Sequence, residues 1–254
     1  MNQFILNLEI TSELIRELAN VAKFRLPIDM YLNFETDVRI ITYTPNFDFV
    51  LERVFRFGDV VLSHDCKIEH LSIELQFSND KIFFQSVHDV CSYKSILTIH
   101  CSFKDNKYAF DEVKIINKEL AGENSVLKLP LRKKTDSINI LPEKNYGNKL
   151  LECKLDAGDI LLLRQNNADR IELFSRVQDS SNSLLLILAN KYIIINDGFK
   201  AFHKGTINIV VEGGFNMLPS RTSFDVTIYK NVCIMQETGT DRIYLFYKIK
   251  IEER

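Results

Sequence analysis

The chain has 254 residues, of which 46% are hydrophobic and 26% are charged, and its 32 lysines and arginines nearly balance 34 aspartates and glutamates to give a formal net charge of −2. This is ordinary globular composition. Near-neutrality argues against a protein that coats nucleic acid through its overall charge, although it leaves local basic surfaces open. The start, MNQFILNLEITSELIREL, lacks a signal-peptide pattern, and no apolar run reaches the ~18 residues of a membrane span. We therefore expect an intracellular protein with no membrane partner.

Alternation of apolar and polar residues dominates the first half of the sequence and predicts strands. The alternating runs are Phe4–Ile10, Ile28–Phe34, Val38–Tyr43, Ile68–Phe77, Lys81–Val87, Ile96–Phe103 and Tyr108–Ile116. They are rich in β-branched and aromatic residues, which favour the pleated surface of a sheet. Strands are therefore expected to outnumber helices throughout this half.

The segment from Thr11 to Phe24 is the clear exception, because its apolar residues recur with helical spacing. Thr11 or Ser12 is predicted to cap the helix, and Pro27 stops it. The apolar face consists of Leu14, Ile15, Leu18, Val21 and Ala22, and the polar face of Glu13, Arg16, Glu17, Asn20 and Lys23. A solvated helix with paired charges explains this polar face without any ligand.

A linker-like segment lies at the middle of the chain, from Leu120 to Lys149. It contains two prolines, two glycines, a basic cluster at 132–134 and no regular period. Its position predicts a domain over residues 1–119, a connector over 120–148 and a second domain over 149–254.

The second half repeats the order of the first: a strand, a helix, and then strands. The strand runs are Lys149–Leu155, Arg170–Val177, Leu184–Leu188, Tyr192–Asn196, Thr206–Val211 and three closing runs. The helix is predicted between Asp156 and Arg170, with Asp156 as its cap, Ile160, Leu161 and Leu163 as its apolar stripe, and Asn166-Asn167 at its end. We therefore predict a strand-dominated α+β protein of two similar domains, each beginning strand–helix.

Residues with catalytic or metal-binding chemistry form no recognisable motif, and neither a cofactor nor an enzymatic activity is predicted. Glycine-rich phosphate loops, GxSxG and HExxH are absent from the sequence. Three of the five cysteines and four histidines cluster between His64 and Cys101, without the ligand-pair spacing of zinc sites. Buried thiols and surface imidazoles explain this cluster better than a metal does, and an enzyme with a dispersed site is the weakest of three functional alternatives.

The closing segment of the chain resembles a known protein family. Its sequence is RTSFDVTIYKNVCIMQETGTDRIYLFYKIKIEER. Three alternating runs, SFDVTIYK, VCIMQETG and RIYLFYKIKIEE, follow one another across tight turns. This resembles the carboxyl end of sliding clamps of the PCNA superfamily, which close on a three-strand meander with an aromatic-rich last strand and an acidic end. The chain length, the two strand–helix openings and the mid-chain connector resemble the same family.

The resemblance implies a non-catalytic, DNA-clamp-like subunit that encircles duplex DNA, independently of base sequence, in a homo- or heterotrimeric ring. It implies salt-sensitive phosphate contacts from Arg16, Lys23, Arg25, Arg164 and Arg170. It also implies a clamp loader, partner peptides that dock beside the connector at Leu127, Leu129, Leu131, Ile138 and Ile140, roles in replication and repair, and a nuclear location. An apolar strap over a sheet edge explains those connector residues equally well.

The sequence departs from this family in two respects. Each clamp domain normally has a second helix, for which only Val87–Lys94 and a stub near Phe215–Met217 are available, and the first helix is less basic than in replicative clamps. A divergent subunit, of the checkpoint-clamp type or from a virus or parasite, fits these departures. The main alternative is a viral or phage structural protein built of two β-sandwich domains.

Overall fold

The structure is a computed structural model that describes residues 2–65, 72–79, 81, 83, 87, 94–104, 107–117, 126–132, 145–166, 169–178, 181–188, 191–195 and 198–253. Its contacts divide the chain into two units. The first consists of Met1–Thr42 and Arg53–Ile138, and the second of Tyr43–Glu52 and Asn139–Arg254. The predicted domain limits stay predictions, because most of the connector lies outside the described residues.

The first unit begins with a strand and a helix and continues almost entirely in strands. Its elements are β1 (Asn2–Thr11), α1 (Ser12–Ala22), β2 (Ile28–Asn33), β3 (Asp37–Tyr43), β4 (Phe49–Arg56), α2 (Phe57–Val60), β5 (Val61–His64), β6 (Ser72–Phe77), β7 (Lys94–Lys104), β8 (Lys107–Asn117) and β9 (Val126–Leu129). Residues of β3 and β4 on either side of their shared turn belong to the second unit.

The second unit also begins with a strand and a helix. Its elements are β10 (Lys149–Leu155), α3 (Ala157–Gln165), β11 (Arg170–Gln178), β12 (Ser181–Leu188), β13 (Lys191–Ile195), β14 (Lys200–Ala201), β15 (Gly205–Glu212), a 3-10 turn (Phe215–Met217), β16 (Phe224–Tyr229), β17 (Cys233–Glu237), β18 (Arg242–Phe246) and β19 (Lys248–Glu253). The strand-dominated α+β class and the strand–helix opening of both halves are thereby confirmed.

The strands of the two units are arranged in the same order. Neighbouring strands run β5-β1-β7-β8-β9 in the first unit and β14-β10-β16-β17-β18 in the second. The remaining strands are ordered β3-β2-β6 in the first unit and β13-β12-β11-β15-β19 in the second. In both units the opening strand is the second strand of its sheet, and a helix follows it directly. The element-level repeat seen in the sequence is therefore also a repeat of topology.

The first helix buries the predicted apolar face, and its polar face differs from the prediction at one position. Leu14, Ile15 and Leu18 have no solvent exposure, whereas Glu17 is only 5% exposed although it was assigned to the solvated face. Glu17 lies between the buried turns at Leu14 and Val21, so the 100° step of the helix brings it close to the core. The prediction for Glu17 was wrong.

Two further sequence assignments need correction. The alternation in Lys81–Val87 predicts a strand, but Lys81, Phe83 and Val87 have helical backbone, and Phe83 and Val87 are fully buried. Residues four apart share a helix face, so KIFFQSV satisfies both periods. On α3, Leu161 was assigned to the apolar stripe but is 42% exposed, while Ile160 and Leu163 are buried.

The last predicted strand is in fact two strands in different sheets. RIYLFYKIKIEE is interrupted at Tyr247, whose N–H donates to the Asp48 carbonyl at 2.9 Å. Before the interruption β18 pairs with β17, and after it β19 pairs with β15 from Ile207 to Glu212. Uninterrupted alternation cannot reveal this change of partner, because it continues through the break.

Candidate nucleic-acid and partner interfaces

The three basic residues predicted on and after the first helix are exposed. Arg16 Nη2 donates to Ser12 Oγ at 2.9 Å, and Lys23 Nζ donates to Asn20 Oδ1 at 3.0 Å. Both acceptors are neutral, so the two cationic charges remain able to attract phosphate oxygens. Arg25 follows the helix in left-handed backbone, with φ of 57°. The structure therefore brings Arg16, Lys23 and Arg25 to one helix and its end.

The carboxyl end of α1 is fixed by a side chain that is distant in sequence. Asn79, which follows β6, donates from Nδ2 to the carbonyl oxygens of Ala22 at 3.0 Å and Leu26 at 2.9 Å. Carbonyls in the last turn of a helix have no partner within the helix, and a donor there satisfies them. Lys23 and Arg25 thus extend from an anchored helix end, a feature that sequence periodicity does not predict.

The two basic residues predicted in the second half do not share one helix. Arg164 lies on α3 and donates from Nη1 to the Leu218 carbonyl at 2.7 Å. Arg170 is the first residue of β11, and its Nη2 lies 3.0 Å from Glu172 Oε1. Arg170 is therefore paired with an acidic side chain, whereas Arg164, like Arg16 and Lys23, bonds to a neutral acceptor.

The beginning of α3 is capped as predicted, and more completely than expected. Asp156 Oδ1 accepts from the N–H groups of Gly158 at 2.8 Å and Asp159 at 3.0 Å, while Asp159 Oδ2 accepts from the Asp156 N–H at 3.1 Å. This is a reciprocal capping box. At α1 the N-cap residue Thr11 makes no such bond, and its Oγ1 is buried without a hydrogen-bond partner.

Three of the five connector residues predicted for partner docking are described. Leu127 and Leu129 lie on β9, which pairs with β8, and Leu129 is only 4% exposed. Leu131 is half-buried and forms a bridge with Phe77 at the end of β6. Ile138 and Ile140 lie outside the described residues. The docking role of this set stays a prediction.

The connector segment is also fastened by an ion pair. The Arg132 N–H donates to the Gln76 carbonyl at 2.8 Å, and the Arg132 guanidinium binds the carboxylate of Asp29 on β2. The Asp29 side chain is 4% exposed, whereas that of Arg132 is 23% exposed. The first residue of the predicted basic cluster therefore serves an internal contact.

An aromatic cluster of the second unit, with Tyr43 buried and its other members half-buried, was missed by sequence reasoning. Tyr43 stacks on Phe47 with ring centroids 4.7 Å apart, and Tyr247 is bonded to Asp48 beside them. Burial first, and then the charges of Tyr146 and Glu52, raise the pKa of Tyr247 to about 12. We call Tyr43, Phe47, Tyr146 and Tyr247 the tyrosine cluster. Tyr146 and Tyr247 are far in sequence from Tyr43 and Phe47 and from each other, so no local pattern signals the cluster.

A second aromatic group lies at one end of the sheet that contains β10. Lys149 Nζ lies 5.2 Å from the ring centroid of Phe202 and 5.8 Å from that of Tyr229. It also donates to Glu152 Oε1 at 2.7 Å, and this bond raises the pKa of Lys149 and lowers that of Glu152. We call Phe202, Lys149 and Tyr229 the aromatic–lysine row. Phe202 is 51% exposed.

The histidine and cysteine cluster of the sequence is only partly described. His64 lies 5.8 Å from the Phe34 ring, His100 lies 3.7 Å from Glu112, and Cys101 is buried. No group of three or more His, Cys, Asp or Glu side chains within the described ranges is arranged to hold a metal ion. Cys66, His70, His88 and Cys91 lie outside those ranges.

Comparison with known proteins gives a match in structure and none in sequence. No protein-family model matches the chain, and no curated protein matches it. A PCNA from Thermococcus kodakaraensis is similar in structure with a TM-score of 0.58 at 12% identity, covering 95% of this chain and 98% of that one. A. fulgidus PCNA, solved with the C-terminal region of FEN-1 bound, gives 0.60 at 12% identity, covering 98% of this chain and 100% of that one.

These matches extend over both units and over the full length of the solved clamps. The protein therefore has the fold of the PCNA-like clamps, in a form that has diverged far in sequence, and the predicted resemblance is confirmed at the level of fold. Within the described part of the chain, no helix is both long and apolar enough to cross a membrane.

Proposed function

We propose that this chain is a subunit of a ring that encircles duplex DNA and tethers partner proteins to it. The observation that carries the proposal is the end-to-end match to PCNA, with two units of the same topology that each begin strand–helix. The exposed charges of Arg16 and Lys23 support a helix surface that makes exchangeable phosphate contacts. Arg25, Arg164 and Arg170 complete the proposed set.

The strand edges suggest how subunits join. β19 is an edge strand that alternates exposed Lys248 and Lys250 with isoleucines, and charged edge strands resist pairing with other chains. The opposite edge of the same sheet is β13, KYIII, and the edge beyond β8 is β9, VLKL. Both are apolar in sequence and suited to strand addition. We therefore propose that β9 of one subunit pairs with β13 of the next, which generates a head-to-tail ring if the rotation closes.

The tyrosine cluster is the proposed site for partner peptides, together with the connector. The solved A. fulgidus PCNA carries the C-terminal region of FEN-1. In this chain Phe47, Tyr146 and Tyr247 are half-buried, with the buried Tyr43 stacked on Phe47, and they provide aromatic area of the kind that dominates peptide recognition. A clamp loader and nuclear localisation belong to the same proposal, and a fluorescent fusion tests the location.

The ring is tested by negative-stain imaging of the purified chain, alone and with co-purified partners, and by retention on DNA. We expect closed rings, and retention on circular plasmid that is lost when the plasmid is linearised. Ile194→Lys, which adds a charge to an edge strand, should abolish rings without changing the circular dichroism spectrum. Shells or fibres would support the structural-protein alternative, and equal loss from circular and linear DNA would refute encirclement.

The phosphate contacts are tested separately. Arg16→Glu with Lys23→Glu should weaken retention at low salt and reduce its dependence on salt concentration. Glu13→Gln, on the same exposed face, is the matched control, since it removes an acid instead of reversing cations. Unchanged retention of the double variant would remove α1 from the proposed DNA surface.

A further inference from the structure

We propose that the aromatic–lysine row of the second unit binds single-stranded nucleic acid. Lys149 lies on β10, Tyr229 on β16 and Phe202 directly after β14, and none of them belongs to a helix. The inference goes beyond the proposed encirclement of duplex, because it concerns unpaired bases and requires no ring.

The row is built by an irregularity in strand pairing. The register between β10 and β16 shifts between Lys149 and Leu151, so that Lys149 lies opposite Tyr229 and Leu151 opposite Ile228. An extra residue reverses the alternation of faces. Lys149 therefore lies on the same face as Glu152, and it can reach that carboxylate across three positions.

Backbone hydrogen bonds bring the other members of the row to the same end of the sheet. The Phe202 N–H donates to the Leu150 carbonyl at 2.9 Å, and the Lys230 N–H donates to the Asn148 carbonyl at 3.0 Å. Lys149 thus lies between the two rings, within the distance of a cation–π contact to each. Half of the Phe202 surface remains exposed.

Exposed lysines lie next to these rings along the chain. Lys200, Lys204 and Lys230 are exposed on the segments that carry Phe202 and Tyr229. Of the acids, Glu152 bonds to Lys149 and also feels the charge of Lys200, and Glu253 acts on His203 beside Phe202. The row and its neighbouring lysines therefore have a net positive charge.

This combination matches the chemistry of a single strand. Unpaired bases stack on exposed aromatic rings while the backbone phosphates follow nearby cations, and both interactions are insensitive to base sequence. A duplex offers the phosphates but keeps its bases stacked on one another, so it cannot use Phe202. An acidic peptide can pair with the lysines, but its carboxylate side chains present no planar ring to stack on Phe202.

The test is fluorescence anisotropy with a labelled oligodeoxythymidylate of about 12 nucleotides, a length within the site sizes of stacking-type binders. A blunt duplex of the same length is the comparison ligand. We expect the wild-type chain to bind the single strand at least tenfold more tightly than the duplex. Phe202→Ala should weaken single-strand binding about tenfold, which corresponds to one lost stacking contact.

The controls separate stacking from charge and from folding. Phe202→Tyr should restore the affinity, because it keeps an aromatic ring, and Leu62→Ala should change nothing, because Leu62 is an apolar residue of the first unit with 47% exposure. Lys200→Glu with Lys204→Glu should weaken binding and its salt dependence. Equal affinity for duplex, an unaffected Phe202→Ala variant, or no binding by the wild type would each overturn the proposal. Retention on circular plasmid should survive Phe202→Ala, so either proposal can fail alone.

Discussion

The two units share a strand order, and β6 of the first unit corresponds to β15 of the second. The two units differ in what pairs with the outer edge of this strand. Beside β6, the first unit places a short connector segment, which makes one strand bridge at Leu131 and one ion pair between Arg132 and Asp29. Beside β15, the second unit places the whole of β19, with six paired residues. The same edge is therefore covered by a point attachment in one unit and by a ladder in the other, and we expect the first to be far more sensitive to a single substitution.

The largest expected loss of stability follows from breaking the point attachment, the ion pair between Arg132 and Asp29. Arg132→Ala takes the guanidinium from a carboxylate that is almost fully buried, and removing one partner of such a pair costs about 3 kcal/mol. Urea unfolding should show this loss in the free energy of unfolding. Lys128→Ala is the matched control, since Lys128 is 72% exposed in its pair with Glu112 and should cost under about 1 kcal/mol. Equal effects of the two variants would contradict the comparison.

The next largest loss of stability is expected from a substitution in the turn that follows β15. A Cβ on Gly213 would lie 2.5 Å from Cδ1 of the fully buried Phe246, which stacks on Phe215 at 4.5 Å. Gly213→Ala should therefore destabilise the protein by about 2 kcal/mol, as overpacking does. Gly214→Ala meets the flexible Met217 side chain at 3.2 Å and should cost less. Thermal unfolding of both variants checks the order, and a costlier Gly214→Ala would show that this packing is misassigned.

The helix caps give a smaller difference between the units. Asp156→Ala removes both bonds of the capping box and should cost about 1 kcal/mol. Thr11→Val should be close to neutral, since its buried hydroxyl oxygen has no hydrogen-bond partner to lose. Chemical denaturation measures both. A Thr11→Val variant as unstable as Asp156→Ala would show that the hydroxyl at the start of α1 has a role.

The smallest effect is a pH dependence. Hydrogen bonds from Lys114 and Lys128 lower the pKa of Glu112 from 4.5 to about 2. A carboxyl with a lowered pKa in the folded state stabilises the protein above its unfolded value, and this contribution is lost as the pH falls from about 4.5 towards 2.

Glu112→Gln should therefore flatten the stability profile in that window. Glu212, whose pKa is lowered by Lys248 and Lys250, is the comparison in the second unit. Both of its lysines are more than half exposed, whereas Lys114 beside Glu112 is 22% exposed, so the effect of Glu212→Gln should be weaker. Parallel profiles of the wild type and Glu112→Gln would contradict this assignment.

The features that the sequence predicted well are those set by local periodicity. The order β1–α1–β2 follows from alternation before Thr11, a period of 3.6 over α1 and proline after it. The cap at Asp156 follows from its hydrogen-bonding chemistry. Where two periods fit the same residues, as in Lys81–Val87, the buried face decides between them, and tertiary packing sets that face.

The features that could not be predicted depend on residues far apart in the chain. The tyrosine cluster joins residues near position 45 to others near positions 146 and 247, and the aromatic–lysine row depends on a register shift between two strands. Arg164 and Arg170 are near neighbours in sequence, but they separate because α3 ends before β11 begins. Sequence periodicity contains no information about such pairings.

The interruption at Tyr247 has a consequence for the order in which the second unit assembles during synthesis. β18 and β19 are consecutive in the chain, yet β18 pairs with β17 and β19 pairs with β15. A nascent chain that has emerged only as far as Asp241 therefore presents two open edges at once, and both await the same dozen residues. The first unit has by then been outside the ribosome for more than a hundred residues, so the two similar halves differ in how long each remains open to incorrect pairing.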